Sequence, residues 1–302
     1  MNILVIKHGA LGDIIMATGA MKAIRAQFPV AHITLLTTKP YATLMAQSPF
    51  FDEIWVDSKP KITNREGVRK LKAMLNSKRW DWVFDLQNSG RTTLYPWLFK
   101  RPWPKMSGAS RWISHPRGKY DITKHALVNI QHQMTLAGID AGAPDIRWMQ
   151  ADVSGFALPQ RYALLVAGCS PQHPGKRWPG EQYASLAMEL AAKGITPVLI
   201  GTAAEEEVLR DIAARVPHTI NLCGRTSIPQ IAELARGATV AVGNDTGPMH
   251  IIGATGCPGT AIFSFQSDPA RMAPVGNTTV LRERDLSQLS VDRVLVSLRL
   301  PQ

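Results

Sequence analysis

Apolar residues along this chain come in short blocks that alternate between two spacings. Ile3–Ile6 is a continuous apolar run, the pattern of a buried strand. Ile14, Ile15, Thr18, Met21, Ala23 and Ile24 then recur with the 3.6-residue period of a helix, which Pro29 stops after Phe28. The alternation continues, with strands predicted at His32–Thr37, Glu53–Val56 and Trp80–Leu86 and helices at Ala42–Gln47 and Arg65–Leu75. Gln87-Asn88-Ser89-Gly90 leads into a further helix that ends before Pro102. Arg101–Tyr120 mixes Pro, Trp, Gly and basic residues without periodicity and reads as a long surface loop. A helix at Thr123–Ala137 completes this half.

Gly138–Pro159 is weakly patterned and is the best linker, after which the alternation restarts. Strands are predicted at Tyr162–Val166, Thr196–Ile200, Thr219–Leu222, Thr239–Val242 and Gly259–Phe263. Helices are predicted at Glu181–Ala192, from Glu205 onward, and at Ile228–Arg236, Met249–Gly256 and Leu289–Leu298. Strands alternating with helices at these distances imply parallel α/β sheets. A chain of 302 residues that is 45% hydrophobic can bury two cores. Two similar units result, residues 1–150 and 151–302, with a cleft expected between them.

Three loops between these elements could carry chemistry. Gly243-Asn244-Asp245-Thr246-Gly247-Pro248 joins a buried strand to a short helix, with capping residues and a proline in the first turn. Such a turn presents unpaired N–H groups and the positive end of a helix dipole, a seat for a phosphate or diphosphate. Asp245 beside that seat either caps the helix or binds hydroxyls. Near the N-terminus, Lys7-His8-Gly9-Ala10-Leu11-Gly12-Asp13 is a strand–loop–helix turn without dinucleotide-fingerprint spacing. Asp13 there is either a helix cap or, at the mouth of a cleft, a general base. The third loop, Ala167–Pro179, holds Ser170 and Lys176-Arg177-Trp178-Pro179.

Charge separates the two halves. Residues 1–150 carry 21 Lys and Arg against 10 Asp and Glu, whereas residues 151–302 carry 13 of each. Seven of the eight tryptophans also lie in the first half. Basic residues mixed with Trp suit an anionic membrane surface, a phosphorylated glycolipid or a nucleic acid. The charge sits in loops and no base-stacking or groove-reading motif is evident, so a nucleic acid is not expected. Cys169, Cys223 and Cys257 are odd in number and lack metal-ligand spacing, which points to a reducing compartment. No apolar run reaches the ~18 residues of a membrane span. A cytoplasmic protein is therefore expected.

Lys7…Gly12-Asp13, Lys176-x-Trp178-Pro179, Gly201…Glu205 and Asn244-Asp245-Thr246-Gly247-x-x-His250 occur in one order. This order resembles glycosyltransferase family 9, the heptosyltransferases of the lipopolysaccharide inner core, over nearly the whole chain. The resemblance implies the GT-B architecture of two facing Rossmann-like domains. Residues 1–150 would bind the acceptor and residues 151–302 the nucleotide-sugar, with the last helix packing back on the first domain. It also implies an inverting, metal-independent glycosyl transfer that needs no cofactor, with ADP-heptose as donor. Asp13 matches the family's catalytic base. Lys7, with Gly12, would hold the acceptor's anionic group or favour the ionised form of Asp13. Lys176, Ser170 and the N–H groups around Thr246 and Gly247 would face the diphosphate, Asp245 the sugar hydroxyls and Glu205 the ribose. His250 would orient the Asp245 turn or touch the diphosphate, unless it is simply a packed helix histidine. The partners implied are an anionic glycolipid and, peripherally, the cytoplasmic face of the inner membrane. Two rival readings remain at this point. One is a sugar-nucleotide epimerase of the same build, which needs no basic, Trp-rich first half. The other is a non-catalytic nucleotide-binding protein of a glycan pathway, which needs no Asp13.

Overall fold

The structure, a computed structural model, describes residues 1–169 and 174–300. It divides into two compact units, Met1–Trp148 and Met149–Gln302. The first contains β1 (Asn2–Ile6), α1 (Leu11–Gln27), β2 (His32–Thr37), α2 (Lys39–Met45), β3 (Glu53–Val56), α3 (Arg65–Leu75), β4 (Trp82–Asp85), β5 (Lys105–Gly108), β6 (His115–Pro116) and α4 (Ala126–Leu136). Its six strands are parallel in the order β3-β2-β1-β4-β5-β6.

The second unit contains β7 (Tyr162–Val166), α5 (Gly180–Ala192), β8 (Thr196–Leu199), α6 (Glu206–Arg215), β9 (Ile220–Asn221), α7 (Ile228–Gly237) and β10 (Val240–Asn244). It continues with α8 (Gly247–Ala254), β11 (Gly259–Phe263), α9 (Pro269–Met272), β12 (Thr278–Arg282) and α10 (Val291–Leu298). Here the parallel order is β12-β11-β10-β7-β8-β9. Both sheets thus follow one doubly wound scheme, in which strand order reverses beside the unit's first strand. The reversal falls between β1 and β4 in one unit and between β7 and β10 in the other. In such sheets the crevice outside the carboxyl ends at the reversal is where ligands bind.

The central strands read as unbroken apolar runs because helices cover both faces of a parallel sheet. Ile3, Leu4, Val5 and Ile6 are at most 1% exposed, and all five residues of β7 are buried. No helix among the described residues is long and apolar enough to cross a membrane.

Several elements differ from the sequence reading. Arg101–Tyr120 is not wholly loop, since β5 and β6 extend the sheet and bury Met106 and Ser107. Strands of four and two residues, the first preceded by Pro102 and Pro104 and the second ending in Pro116, are too short to show alternation. The helix expected after Gly90 is a 3-10 helix, Thr92–Leu98, containing Pro96, which cannot donate the i→i−4 bond. β12 and α9 were not anticipated, and α4 starts at Ala126 rather than Thr123. The last helix, α10, buries Val294 and Leu298 in the second unit's core.

The boundary between the units, Trp148 to Met149, falls inside the predicted linker Gly138–Pro159, but this linker is packed rather than loose. Ile139, Ala141, Ile146 and Met149 are buried, and the segment around Gly142 packs backbone to backbone on α1. A Cβ on Gly19 would lie 2.4 Å from the carbonyl oxygens of both Gly142 and Ala143. Alongside, the Asp145 amide donates to Thr18 Oγ1 at 2.9 Å. The Asp145 carboxylate meets Lys22 at 2.7 Å and Arg147 at 2.6 Å. Gly19→Ala is expected to destabilise the protein by roughly 1–3 kcal/mol, the range for overpacking against atoms that cannot rotate away. A urea midpoint equal to that of the wild type would show that the segment yields.

Candidate active site

In the second unit the chemistry gathers at the carboxyl ends of β7, β8 and β10. Asn244, the last residue of β10, is fully buried. Its Nδ2 donates to the carbonyls of Ala167 at 2.9 Å and Gly168 at 3.2 Å, just past β7. Its Oδ1 accepts from the Trp178 amide at 3.0 Å and the Tyr183 hydroxyl at 3.1 Å. One side chain therefore fastens both strands of the reversal, the Lys176–Pro179 turn and α5. Burial drives the Tyr183 hydroxyl well above its ordinary pKa, so it stays a neutral donor. The Trp178 indole is 1% exposed, stacks edge-on against Tyr183 and donates to the Leu289 carbonyl at 3.0 Å.

With that turn fixed, Lys176 Nζ reaches Asp245 Oδ2 at 2.7 Å. The two side chains are only 18% and 9% exposed. Thr246 is the N-cap of α8 in extended conformation, and its hydroxyl donates to the Asn244 carbonyl at 3.2 Å rather than capping the helix. The first-turn N–H groups of α8 consequently keep no side-chain cap, and Pro248 has none to offer. Gly243 is required by contact, because a Cβ there would sit 2.6 Å from Met249 Sδ and 2.7 Å from Val166 Cβ. Glu205 closes the β8 side. Its Oε2 accepts from the Thr202 amide at 2.8 Å and the Thr202 hydroxyl at 2.6 Å, and its stem lies against Gly168. His250 is 5% exposed within α8. Ser170 lies outside the described residues.

The first unit places its residues at the carboxyl ends of β1, β3 and β4. Lys7 follows β1 and is buried, with Nζ donating to the Leu86 carbonyl at 3.1 Å. Burial lowers its pKa, opposed by the charges of Asp13 and Asp85. Asp13 is the third residue of α1, and its Oδ2 accepts from the Ala10 amide at 3.0 Å across the helix start. The dipole of a 17-residue helix favours a carboxylate there. Gly12 is buried in the same turn, and Gly9 has φ +126° with room for no side chain, since a Cβ would meet Tyr41 Cε2 at 2.5 Å.

The sequence profile of "Glycosyltransferase family 9 (heptosyltransferase)" matches residues 68–290, most of the chain. The chain belongs to this glycosyltransferase family. It is 27% identical over 304 residues to lipopolysaccharide heptosyltransferase 2 of Salmonella typhimurium, covering 88% of this chain and 84% of that protein. Its fold matches a family 9 glycosyltransferase from Veillonella parvula with TM-score 0.82 at 21% identity, covering 98% and 95% of the two chains. It also matches the ADP-heptose lipopolysaccharide heptosyltransferase II of Escherichia coli with TM-score 0.78 at 24% identity, covering 99% and 97%. The family match decides for a transferase over the epimerase and the non-catalytic binder, and the two Rossmann-like parallel-sheet units are the parts of a GT-B enzyme.

The structure joins Lys176, Asp245, Thr246 and Gly247 in one unit and Lys7, Gly12 and Asp13 in the other. It also adds residues of the glycosyltransferase that the sequence reading left without a role. Asn244 was quoted only as part of a motif, yet it organises its whole site. In the first unit, His8 Nε2 faces Asp57 Oδ2 at 3.0 Å with both side chains buried, and Tyr95 Oη donates to the same oxygen. Burial pushes the Asp57 carboxyl up, but His8, Tyr95 and the Lys59 amide together hold it below its ordinary value. Asp85 ends β4 in full burial, which raises its pKa against amide bonds from Asn88 and Gln87 and a hydroxyl bond from Thr92. Asp57 follows β3 and Asp85 ends β4, and that position at a strand end was the available signal. Among the described residues no three His, Cys, Asp or Glu side chains cluster as a metal site.

Asn244→Asp keeps the shape but turns a carboxylate toward two carbonyls. The cost expected is at least about 2 kcal/mol, that of two lost donations in a buried site. It would appear as a lower urea midpoint with an unchanged slope. A wild-type midpoint would remove Asn244 from its organising place.

Proposed function

We propose that this transferase moves heptose from ADP-heptose to an inner-core sugar of lipopolysaccharide, inverting the anomeric centre in a single displacement. The reading is carried by the Lys176–Asp245 pair at the uncapped N-terminus of α8, on the strand reversal. It is further supported by relatives named as lipopolysaccharide heptosyltransferase 2. The second unit takes the donor and the first the acceptor, at the cytoplasmic face of the inner membrane.

In the step itself, the acceptor hydroxyl gives its proton to Asp13 and its oxygen bonds to the anomeric carbon. The bond from that carbon to the diphosphate breaks, and the electron pair leaves with ADP. Lys7 supports the ionised Asp13 and, with the Gly12 turn, meets the acceptor's anionic group. Lys176 exchanges Asp245 for the diphosphate, where the N–H groups of Thr246 and Gly247 complete charge neutralisation without a metal ion. Asp245, released, accepts from the heptose hydroxyls. Glu205 accepts from the ribose hydroxyls, and His250 holds the turn from within α8.

Asp13→Asn is expected to lower turnover by about 10²- to 10⁴-fold, the usual contribution of a general base, while ADP affinity by calorimetry stays near wild type. Turnover at the wild-type rate would remove Asp13 as the base. Lys176→Ala should weaken ADP by about 1–3 kcal/mol, since the lysine trades one anion for another rather than leaving water. Unchanged ADP affinity would refute the diphosphate role. Substitution of UDP or GDP for ADP as the tight ligand would keep the mechanism and discard the heptose donor.

A further inference from the structure

Tyr41 brings a hydroxyl to the start of α1, beside the carboxylate of Asp13. It is the third residue of α2, and its amide donates to the Thr38 carbonyl at 3.0 Å. Thr38 is the N-cap of that helix, yet its side chain caps nothing there. Its hydroxyl donates instead to the His8 carbonyl at 2.7 Å. His8 is held in turn by Gln87 Oε1, which accepts from its amide at 2.8 Å, and by Asp57 at its ring. The start of α2 is thereby tied to the end of β1, next to the turn that carries Asp13.

The ring of Tyr41 lies on that turn. Gly9 leaves it room, since a Cβ there would stand 2.5 Å from Cε2 and 3.2 Å from Cζ, the carbon that bears the hydroxyl. Ala10, the N-cap of α1, has no side-chain acceptor to offer, so the first amides of α1 face outward uncapped. The Leu11 amide stands beside the Tyr41 hydroxyl, and Asp13, two residues on, acts on it through its charge. Burial first and then the Asp13 carboxylate push the phenol above its ordinary pKa, against the pull of the Leu11 amide. Tyr41 therefore stays protonated at neutral pH and remains a donor.

Three other tyrosines show what a structural hydroxyl does in this protein. Tyr95 donates to Asp57, Tyr162 to the Leu234 carbonyl at 2.7 Å and Tyr183 to Asn244 at 3.1 Å. Each spends its proton inside the fold. The Tyr41 proton has no acceptor among the described residues, and its side chain is half-buried rather than sealed. A hydroxyl oxygen met by an amide on one side keeps its own proton for a partner on another.

We propose that the Tyr41 hydroxyl contacts the acceptor, donating a hydrogen bond to the sugar oxygen adjacent to the hydroxyl that Asp13 deprotonates. A carboxylate and a phenol side by side at one helix start fit a vicinal pair of oxygens. The carboxylate accepts from the hydroxyl to be glycosylated, and the phenol donates to its neighbour. Such a pair selects a diol over a lone alcohol and fixes which of its two hydroxyls attacks. This deepens the reading of Asp13 as the base and rests on it.

The test compares Tyr41→Phe, which keeps the ring on Gly9, with the wild type in transfer from ADP-heptose to a lipopolysaccharide core lacking heptose. The KM for the acceptor should rise about tenfold with little change in kcat, as when one hydrogen bond made equally before and during reaction is lost. ADP affinity by calorimetry should be unchanged and shows that the variant is folded. An unchanged acceptor KM overturns the proposal. A fall in kcat at constant KM overturns it too, because the hydroxyl would then act on Asp13 rather than on the substrate. A second readout needs no acceptor. With tyrosines carbon-labelled at Cζ and the Tyr41 signal assigned by its loss in Tyr41→Phe, NMR titration should show Tyr41 ionising at lower pH in Asp13→Asn than in the wild type, since the neighbouring charge has gone. An unmoved titration would put the hydroxyl out of reach of Asp13 and end the proposal. Wild-type turnover by Asp13→Asn, with the acceptor KM of Tyr41→Phe still raised, would instead remove the base and leave the Tyr41 contact standing.

Discussion

The second unit depends on the hydrogen-bonding capacity of one amide. A buried Asn can donate twice and accept twice, and Asn244 does all four. The bonds reach three parts of the chain, two of them going to the adjacent carbonyls that β7 has just released. Two neighbouring parallel strands diverge beyond a doubly wound reversal, and their last polar groups need partners that are not each other. Asn244 supplies those partners. Lys176, two residues before the Trp178 amide, and Asp245, one residue after Asn244, are placed by the same contact.

The first unit solves the corresponding problem with charge. Its reversal lies beside Lys7 and Asp85, both buried, and the neighbouring strand ends bring Asp13 and the Asp57–His8 pair. Buried charges persist only when paired or hydrogen-bonded. Lys7 is given a carbonyl and two nearby carboxylates, Asp57 an imidazole and a phenol, and Asp85 two amides. An amide network fixes geometry without net charge and suits a seat that must receive a highly charged diphosphate. A charged network holds a carboxylate ready for a proton and suits the side where a hydroxyl is to be activated.

Strand and helix alternation was legible because parallel sheets bury their strands on both faces, leaving apolar runs such as Ile3–Ile6 and Tyr162–Val166 that no other structure explains as simply. It failed where elements were too short to show a period, at β5 and β6, at β12, whose half-buried residues TTVLR form no apolar run, and where Pro96 tightened a helix into 3-10 form. The site was legible as separate turns, each with its own local logic of caps, glycines and helix starts. What sequence could not show was pairing across distance. Lys176 and Asp245 are 69 positions apart, and His8 and Asp57 meet only because β3 and β1 end on the same side of one sheet. Linker composition located the unit boundary but hid its packing, for a related reason. Gly142 and Ala143 look unconstrained in sequence, and their fit against α1 depends on the missing side chain of Gly19.

Trp178 gives the second unit an unplanned reporter. It is the only tryptophan after residue 150, the other seven lying in the first 150 residues. Its indole is sealed from solvent, bonded at its own backbone amide to Asn244 and placed two residues from Lys176. An indole in such surroundings emits toward the blue and shifts red when water reaches it. With the first-unit tryptophans replaced by phenylalanine, its emission would follow the β7–β10 junction alone. The state of the diphosphate seat is thereby written into an intrinsic optical signal, needing no attached dye.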